Sequence, residues 1–125
     1  MSSVSDYKKR FKWWDSRCKD MNKYKLVVYV PLTHADAVRE TIGAAGGGKI
    51  GNYEYCSFSS LGKGRFLPLP GAEPHIGSVG IAEEVEEERL EVTVDEAVLD
   101  DVIKVMKEAH PYEEVAYDVY KLETF

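Results

Sequence analysis

Apolar residues recur along this chain with two different periods, and the two together predict six elements. Tyr24-Lys25-Leu26-Val27-Val28-Tyr29-Val30 is β-branched and aromatic on both faces, the pattern of a central strand, and Pro31 closes it. Thr33 followed by Asp36 reads as the N-terminal cap of a helix that runs to the glycines at 43 and 46–48, with Val38, Ile42 and Ala45 on its buried stripe. Tyr53 to Ser59 is predicted as the second strand. Leu61 to Gly80, rich in glycine and proline, is predicted as a long loop or wide hairpin. Val85 to Val94 is the third strand, with Leu90, Val92 and Val94 inward and Arg89, Glu91 and Thr93 outward. The acidic run Glu83–Glu88 reads as its solvated start. Asp95 is placed as the cap of the most regular helix, whose stripe is Val98, Leu99, Val102, Ile103, Met106 and Ala109. Pro111 forbids its continuation, and Val115 to Tyr120 alternates as a last strand.

The order β-α-β-β-α-β predicts an α+β fold of the ferredoxin-like, split βαβ kind: an antiparallel sheet with both helices on one face. The other face is left open. Tyr29, Tyr55, and Tyr117 or Tyr120 put aromatic surface there, which favours association into an oligomer.

Composition narrows this picture without changing it. The chain has 125 residues, 44% apolar and 30% charged, enough for one core. Residues 22–125 are read as the domain and 1–21 as a basic-aromatic N-terminal extension, with Lys8, Lys9, Arg10, Phe11, Lys12, Trp13 and Trp14 clustered in it. The alternative for that cluster is a helix on a membrane surface or on nucleic acid. No apolar run spans a bilayer and the start lacks a signal stretch, so a cytoplasmic protein is expected. The net charge of −6 is uneven: residues 1–25 hold eight Lys/Arg against three Asp, a charge of +5, and the remainder carries −11. A body this acidic is not expected to bind nucleic acid. Cys18 and Cys56 form no C-x-x-C pair and are read as free thiols.

Candidate chemistry is sparse. Gly43-Ala44-Ala45-Gly46-Gly47-Gly48-Lys49-Ile50 approaches a phosphate-loop pattern, but Ile50 replaces the required hydroxyl. The glycines also end a helix, where the dipole repels anions. His34, His75 and His110 show no metal-ligand spacing in the sequence; they could converge in space, with Cys56 or Glu113 as a further ligand. No catalytic constellation is legible, and no enzyme activity or cofactor is expected.

Three stretches carry a resemblance: Gly48-Lys49-Ile50-Gly51-Asn52-Tyr53; Cys56-Ser57-Phe58-Ser59 with Gly62-Lys63-Gly64-Arg65-Phe66-Leu67-Pro68-Leu69-Pro70-Gly71; and Ile76-Gly77-Ser78-Val79-Gly80. With the closing His110-Pro111-Tyr112-Glu113-Glu114-Val115-Ala116-Tyr117-Asp118, the chain over about residues 24–122 resembles the insert domain of the Nif-three-like (YqfO-type) family. The His-Pro-Tyr-Glu element is also similar to one in CutA proteins, and both groups share the fold of PII signalling proteins. His75 stands where the family pattern has an aromatic. The resemblance implies a trimer formed through sheet edges. It implies no two-metal chemistry, because the family's His, Asp and Glu ligands lie in halves flanking the insert that residues 1–23 and 123–125 do not match.

The leading expectation is therefore a stand-alone PII/CutA-like module binding a small molecule or protein partner in inter-subunit clefts. Asn52, Tyr53, Cys56, Ser57, His110, Tyr112 and Glu113 are the candidate cleft residues, since a helix end and turn gather imidazole, phenol and carboxylate beside a glycine-rich backbone. The alternatives are a divalent-metal-binding protein, with His110, Glu113 and Cys56 as candidate ligands, and a hydrolase-related protein lacking the two-metal halves.

Overall fold

The computed structural model describes residues 22–125; the expected extension over residues 1–21, Cys18 included, lies outside the described residues. Six elements follow in order: β1 (Lys23–Pro31), α1 (Leu32–Ala44), β2 (Phe58–Phe66), β3 (Glu83–Asp95), α2 (Glu96–Ala109) and β4 (Tyr117–Leu122). They form one four-stranded sheet in the order β2-β3-β1-β4, with every neighbouring pair antiparallel. This is the ferredoxin-like arrangement the hydrophobic pattern predicted.

The core lies between the sheet and the two helices. Leu26, Val28 and Val30 of β1 and Leu90, Val92 and Val94 of β3 point into it, against Ala35, Val38 and Ile42 of α1 and Val102 and Met106 of α2. Val28 pairs with Leu90 across the sheet, and the same register sets Tyr29 opposite Arg89 on the helix-free face. Each fully buried side chain of this kind contributes about 1.5–3 kcal/mol. Val115, Tyr117 and Val119 pack against the cluster, as their alternation predicted, although the strand begins at Tyr117 and runs to Leu122 rather than spanning Val115–Tyr120.

Several local expectations are corrected. The second strand runs over Phe58–Phe66 rather than Tyr53–Ser59, so the first six residues of the predicted loop, Leu61–Phe66, are strand, and the rest joins two adjacent strands as the wide hairpin expected. Neither helix uses the side-chain cap read from the sequence. Thr33 Oγ1 turns to His34 Nδ1 at 2.8 Å, and the Asp95 carboxylate takes Lys23 Nζ at 2.6 Å. The acidic run is not wholly solvated either, since Glu87 and Glu88 are each only 8% exposed. Glu88, opposite Val30 on the helix face, accepts Arg39 Nη1 of α1 at 2.7 Å, and Arg39 also bonds Asp36.

The chain between α1 and β2 is held by its backbone. The Gly48 N–H donates to Thr93 O at 2.8 Å, and the Cys56 N–H donates to Gly48 O at 2.9 Å. Gly48 has φ +79°, and a Cβ there would stand 2.3 Å from the Cys56 carbonyl oxygen. Gly51 also has positive φ (+56°), but nothing lies within 4 Å of the corresponding position. Gly48→Ala is therefore expected to destabilise the domain by about 2 kcal/mol or more, and Gly51→Ala by only about 1 kcal/mol. Urea unfolding of the two variants checks this: equal losses would show that the close approach at Gly48 carries no weight.

Candidate functional site

The site begins where α2 ends. A residue before proline is pushed out of the helical region, and His110, before Pro111, has φ −79° and ψ 137° while its N–H still donates to Met106 O at 3.0 Å. That turn directs the imidazole inward to the backbone of β1. His110 Nε2 lies 2.7 Å from Tyr29 O, and the Tyr112 N–H donates to His110 Nδ1 at 3.1 Å. A carbonyl only accepts, so Nε2 carries the proton and Nδ1 the lone pair. Both ring nitrogens are thereby committed in the neutral form. Burial lowers the His110 pKa, outweighing the Tyr29 bond that raises it, and the charges of His34 and His75 lower it further.

Tyr112 follows and extends over the helix-free face. Its hydroxyl donates to Glu87 Oε2 at 3.0 Å, and its ring sits 4.9 Å from the His110 ring and 6.1 Å from Phe66. Burial first, then the bond to Glu87 and its charge, raise the Tyr112 pKa well above the usual phenol range. Glu87 has room because residue 64 is glycine: a Cβ on Gly64 would fall 1.8 Å from Glu87 Oε1. Glu113 Oε1 accepts the Glu73 N–H at 2.8 Å, which ties the β2–β3 connection to the turn after α2. In that connection His75 meets His34 edge to face, ring centres 5.6 Å apart.

These contacts enclose a groove of about 690 Å³ on the helix-free face, floored by Tyr29, Glu87 and Arg89 and bordered by Phe66, Tyr112 and Glu113. Of the seven residues singled out from the sequence, His110, Tyr112 and Glu113 are brought together here. Within one subunit Asn52, Tyr53, Cys56 and Ser57 are not; they lie in the connection anchored on Thr93, which pairs with Lys25. Four residue steps along β1 separate Lys25 from Tyr29, about 13 Å of strand. Tyr53 is 73% exposed, and Tyr55 beside it packs its ring over Gly43.

The sequence reading missed Glu87, Gly64 and Phe66. The two glycines in an otherwise strand-like run were the one signal for them, since glycine inside a strand marks a close approach. The three histidines do converge on one end of the domain, but among the described residues no three His, Cys, Asp or Glu side chains are grouped to hold a metal ion. His110 has both nitrogens engaged, Glu113 holds a backbone N–H, and Cys56, a free thiol, sits at the other end of the sheet. The proposed ligands thus do not fit a shared ion within one subunit.

No family model matches the chain. The "GTP cyclohydrolase 1 type 2 homolog" of Halalkalibacterium halodurans is 54% identical over 99 residues, which are 79% of this chain and 27% of that protein. The Bacillus subtilis protein of the same name is 52% identical over 79% of this chain and 26% of its own length. A Bacillus cereus protein related to NIF3 has a matching region with TM-score 0.72 and 50% identity, over 82% of this chain and 26% of that one. The chain is thus homologous to part of Nif-three-like proteins, as its motifs indicated, and spans about a quarter of the length of these relatives. The periplasmic divalent cation tolerance protein CutA of Archaeoglobus fulgidus (TM-score 0.59, 14% identity, 82% of this chain and 86% of that one) shares the fold. So does Bacillus subtilis GlnK (TM-score 0.55, 15% identity, 81% and 85%).

Two pH dependences follow. The folded state holds His110 below the ordinary imidazole value, so stability is fully present above about pH 6.5 and is lost as pH falls below it. His110→Ala is expected to cost about 1–3 kcal/mol at pH 7.5, through the orphaned Tyr29 carbonyl, and to weaken that acid slope; denaturation curves between pH 5 and 8 measure both. Tyr112 is shifted upward, so stability is lost as pH rises past about 10. Tyr112→Phe is expected to flatten that alkaline limb, and an unchanged slope would count against the Glu87 contact.

Proposed function

We propose that this domain is an oligomeric binding or regulatory module of the PII/CutA-like kind, trimeric in solution, which takes its ligand where the groove on the helix-free face meets a neighbouring subunit. The observation that carries the reading is the groove itself, floored by a buried glutamate hydrogen-bonded to Tyr112 and fastened on one side by Glu113. Its volume lies in the range of small-molecule sites. Binding suits it better than catalysis. The perturbed imidazole of His110 is engaged at both nitrogens, and the Tyr112 phenol is held protonated, so neither is poised to move a proton at neutral pH. The enzyme name belongs to relatives about three times as long, and the chemistry it denotes would reside in their remaining length.

Association is supported by what the helix-free face exposes. Phe58 is 66% exposed on the β2 edge, in the row of Glu91 and Val27, and Tyr120 is 52% exposed on the β4 edge, opposite Lys25 two residues along β1. Exposed aromatics beside unpaired strand edges are normally covered. An inter-subunit cleft would also bring the Asn52–Ser57 connection of one copy to the groove of another, joining candidates that lie apart in one subunit. Among the described residues no helix is long and apolar enough to cross a membrane.

Light scattering on the full chain is expected to give three times the single-chain mass of 14.1 kDa, and Phe58→Asp with Tyr120→Lys to shift it toward that mass. A wild-type protein that stays at 14.1 kDa at tens of micromolar would remove the inter-subunit site.

A further inference from the structure

The charge at the floor of the groove identifies the class of ligand it suits. Glu87 is 8% exposed, and the side-chain donor it receives is the Tyr112 hydroxyl, on Oε2. A carboxylate this far from water normally has a cation or several donors around it. The basic side chains bordering the groove turn elsewhere. Lys63 Nζ and Arg65 Nε lie 3.3 Å and 3.0 Å from Glu84, while Arg89 sits over the Tyr29 ring at 5.9 Å and 3.7 Å from Glu91. Beside Glu87 stand the rings of Tyr112 and Phe66, whose faces attract positive charge. Gly64 completes the arrangement, because any side chain there would displace the Glu87 carboxylate.

We infer that the groove takes an organic cation, an ammonium or guanidinium group on an apolar body, with the charge on Glu87 and the body against Phe66, Tyr112 and Leu69. This rests on the reading of the groove as the binding site and adds the chemical class of its occupant. The apolar border, in which Leu69 is 64% exposed, has no use for a bare metal ion but suits a hydrocarbon or aromatic body.

The test titrates the full chain with 2-phenylethylammonium, alongside neutral 2-phenylethanol and anionic 3-phenylpropionate, followed by NMR shifts and calorimetry. Saturable binding of the cation, about tenfold tighter than of the neutral analogue, is expected, with Glu87→Gln abolishing the preference. Tyr112→Phe keeps the carboxylate and removes its donor, so it is expected to bind the cation at least as tightly as wild type. Equal binding of the three probes, no saturable binding, or a preference that survives Glu87→Gln overturns the inference, and so does loss of cation binding in a folded Tyr112→Phe. The mass measurement is independent: a monomer that retains cation preference refutes the trimer alone, whereas a trimer without preference refutes the cation site alone.

Discussion

The groove end of this domain depends on how the backbone of Tyr29 is satisfied. β1 runs through the middle of the sheet, but its pairing with β4 stops at Val28–Tyr117. Beyond it the Tyr29 N–H goes to Ala116 O and the Tyr29 carbonyl to the His110 ring. A histidine stands in for a strand, and it can do so because proline at 111 keeps His110, the residue after the last helical one, out of the helix and turns its ring inward. The other ring nitrogen then holds the Tyr112 backbone, and the phenol reaches Glu87. One backbone requirement at the end of a strand thus places the whole chain of side chains that borders the groove.

The acidic run of β3 shows how a single strand divides its work. Glu88 faces the helices and is answered by Arg39, while Glu87 faces the groove and is answered by a phenol. The alternation of the strand makes that assignment: shifting the register by one residue would exchange the two carboxylates and leave each without its partner. Arg39 closes the helix side as a structural pair. On the groove side Glu87 is met by a phenol and, among the described residues, by no cation.

Relatives near 50% identity and fold neighbours near 15% identity place different constraints on interpretation. The first match about four fifths of this chain in sequence as well as in fold. The second share only the way two βαβ halves cover one face of a sheet, an arrangement that leaves its other face to be used for association or binding.

Much of the fold was legible in the sequence. Continuous β-branched residues in β1, alternation in Leu90, Val92 and Val94, and the stripe of α2 each carry a period that only one element satisfies, and Pro111 marks a boundary by steric exclusion. β2 was displaced because Gly62 and Gly64 lack strand propensity; they are tolerated there by pairing with β3 and by the side chain of Glu87, which no local pattern contains. The expected caps at Thr33 and Asp95 failed for a similar reason, since His34 and Lys23 offered those side chains other partners. Of the candidate site, chain order was enough to put His110, Tyr112 and Glu113 at one turn. Three-dimensional packing was needed to bury Glu87 beneath that turn, to bring the distant His34 and His75 near it, and to keep Cys56 away. Those are long-range placements, set by sheet register and by the path of the β2–β3 connection, and a residue's neighbours in space are not encoded in its neighbours along the chain.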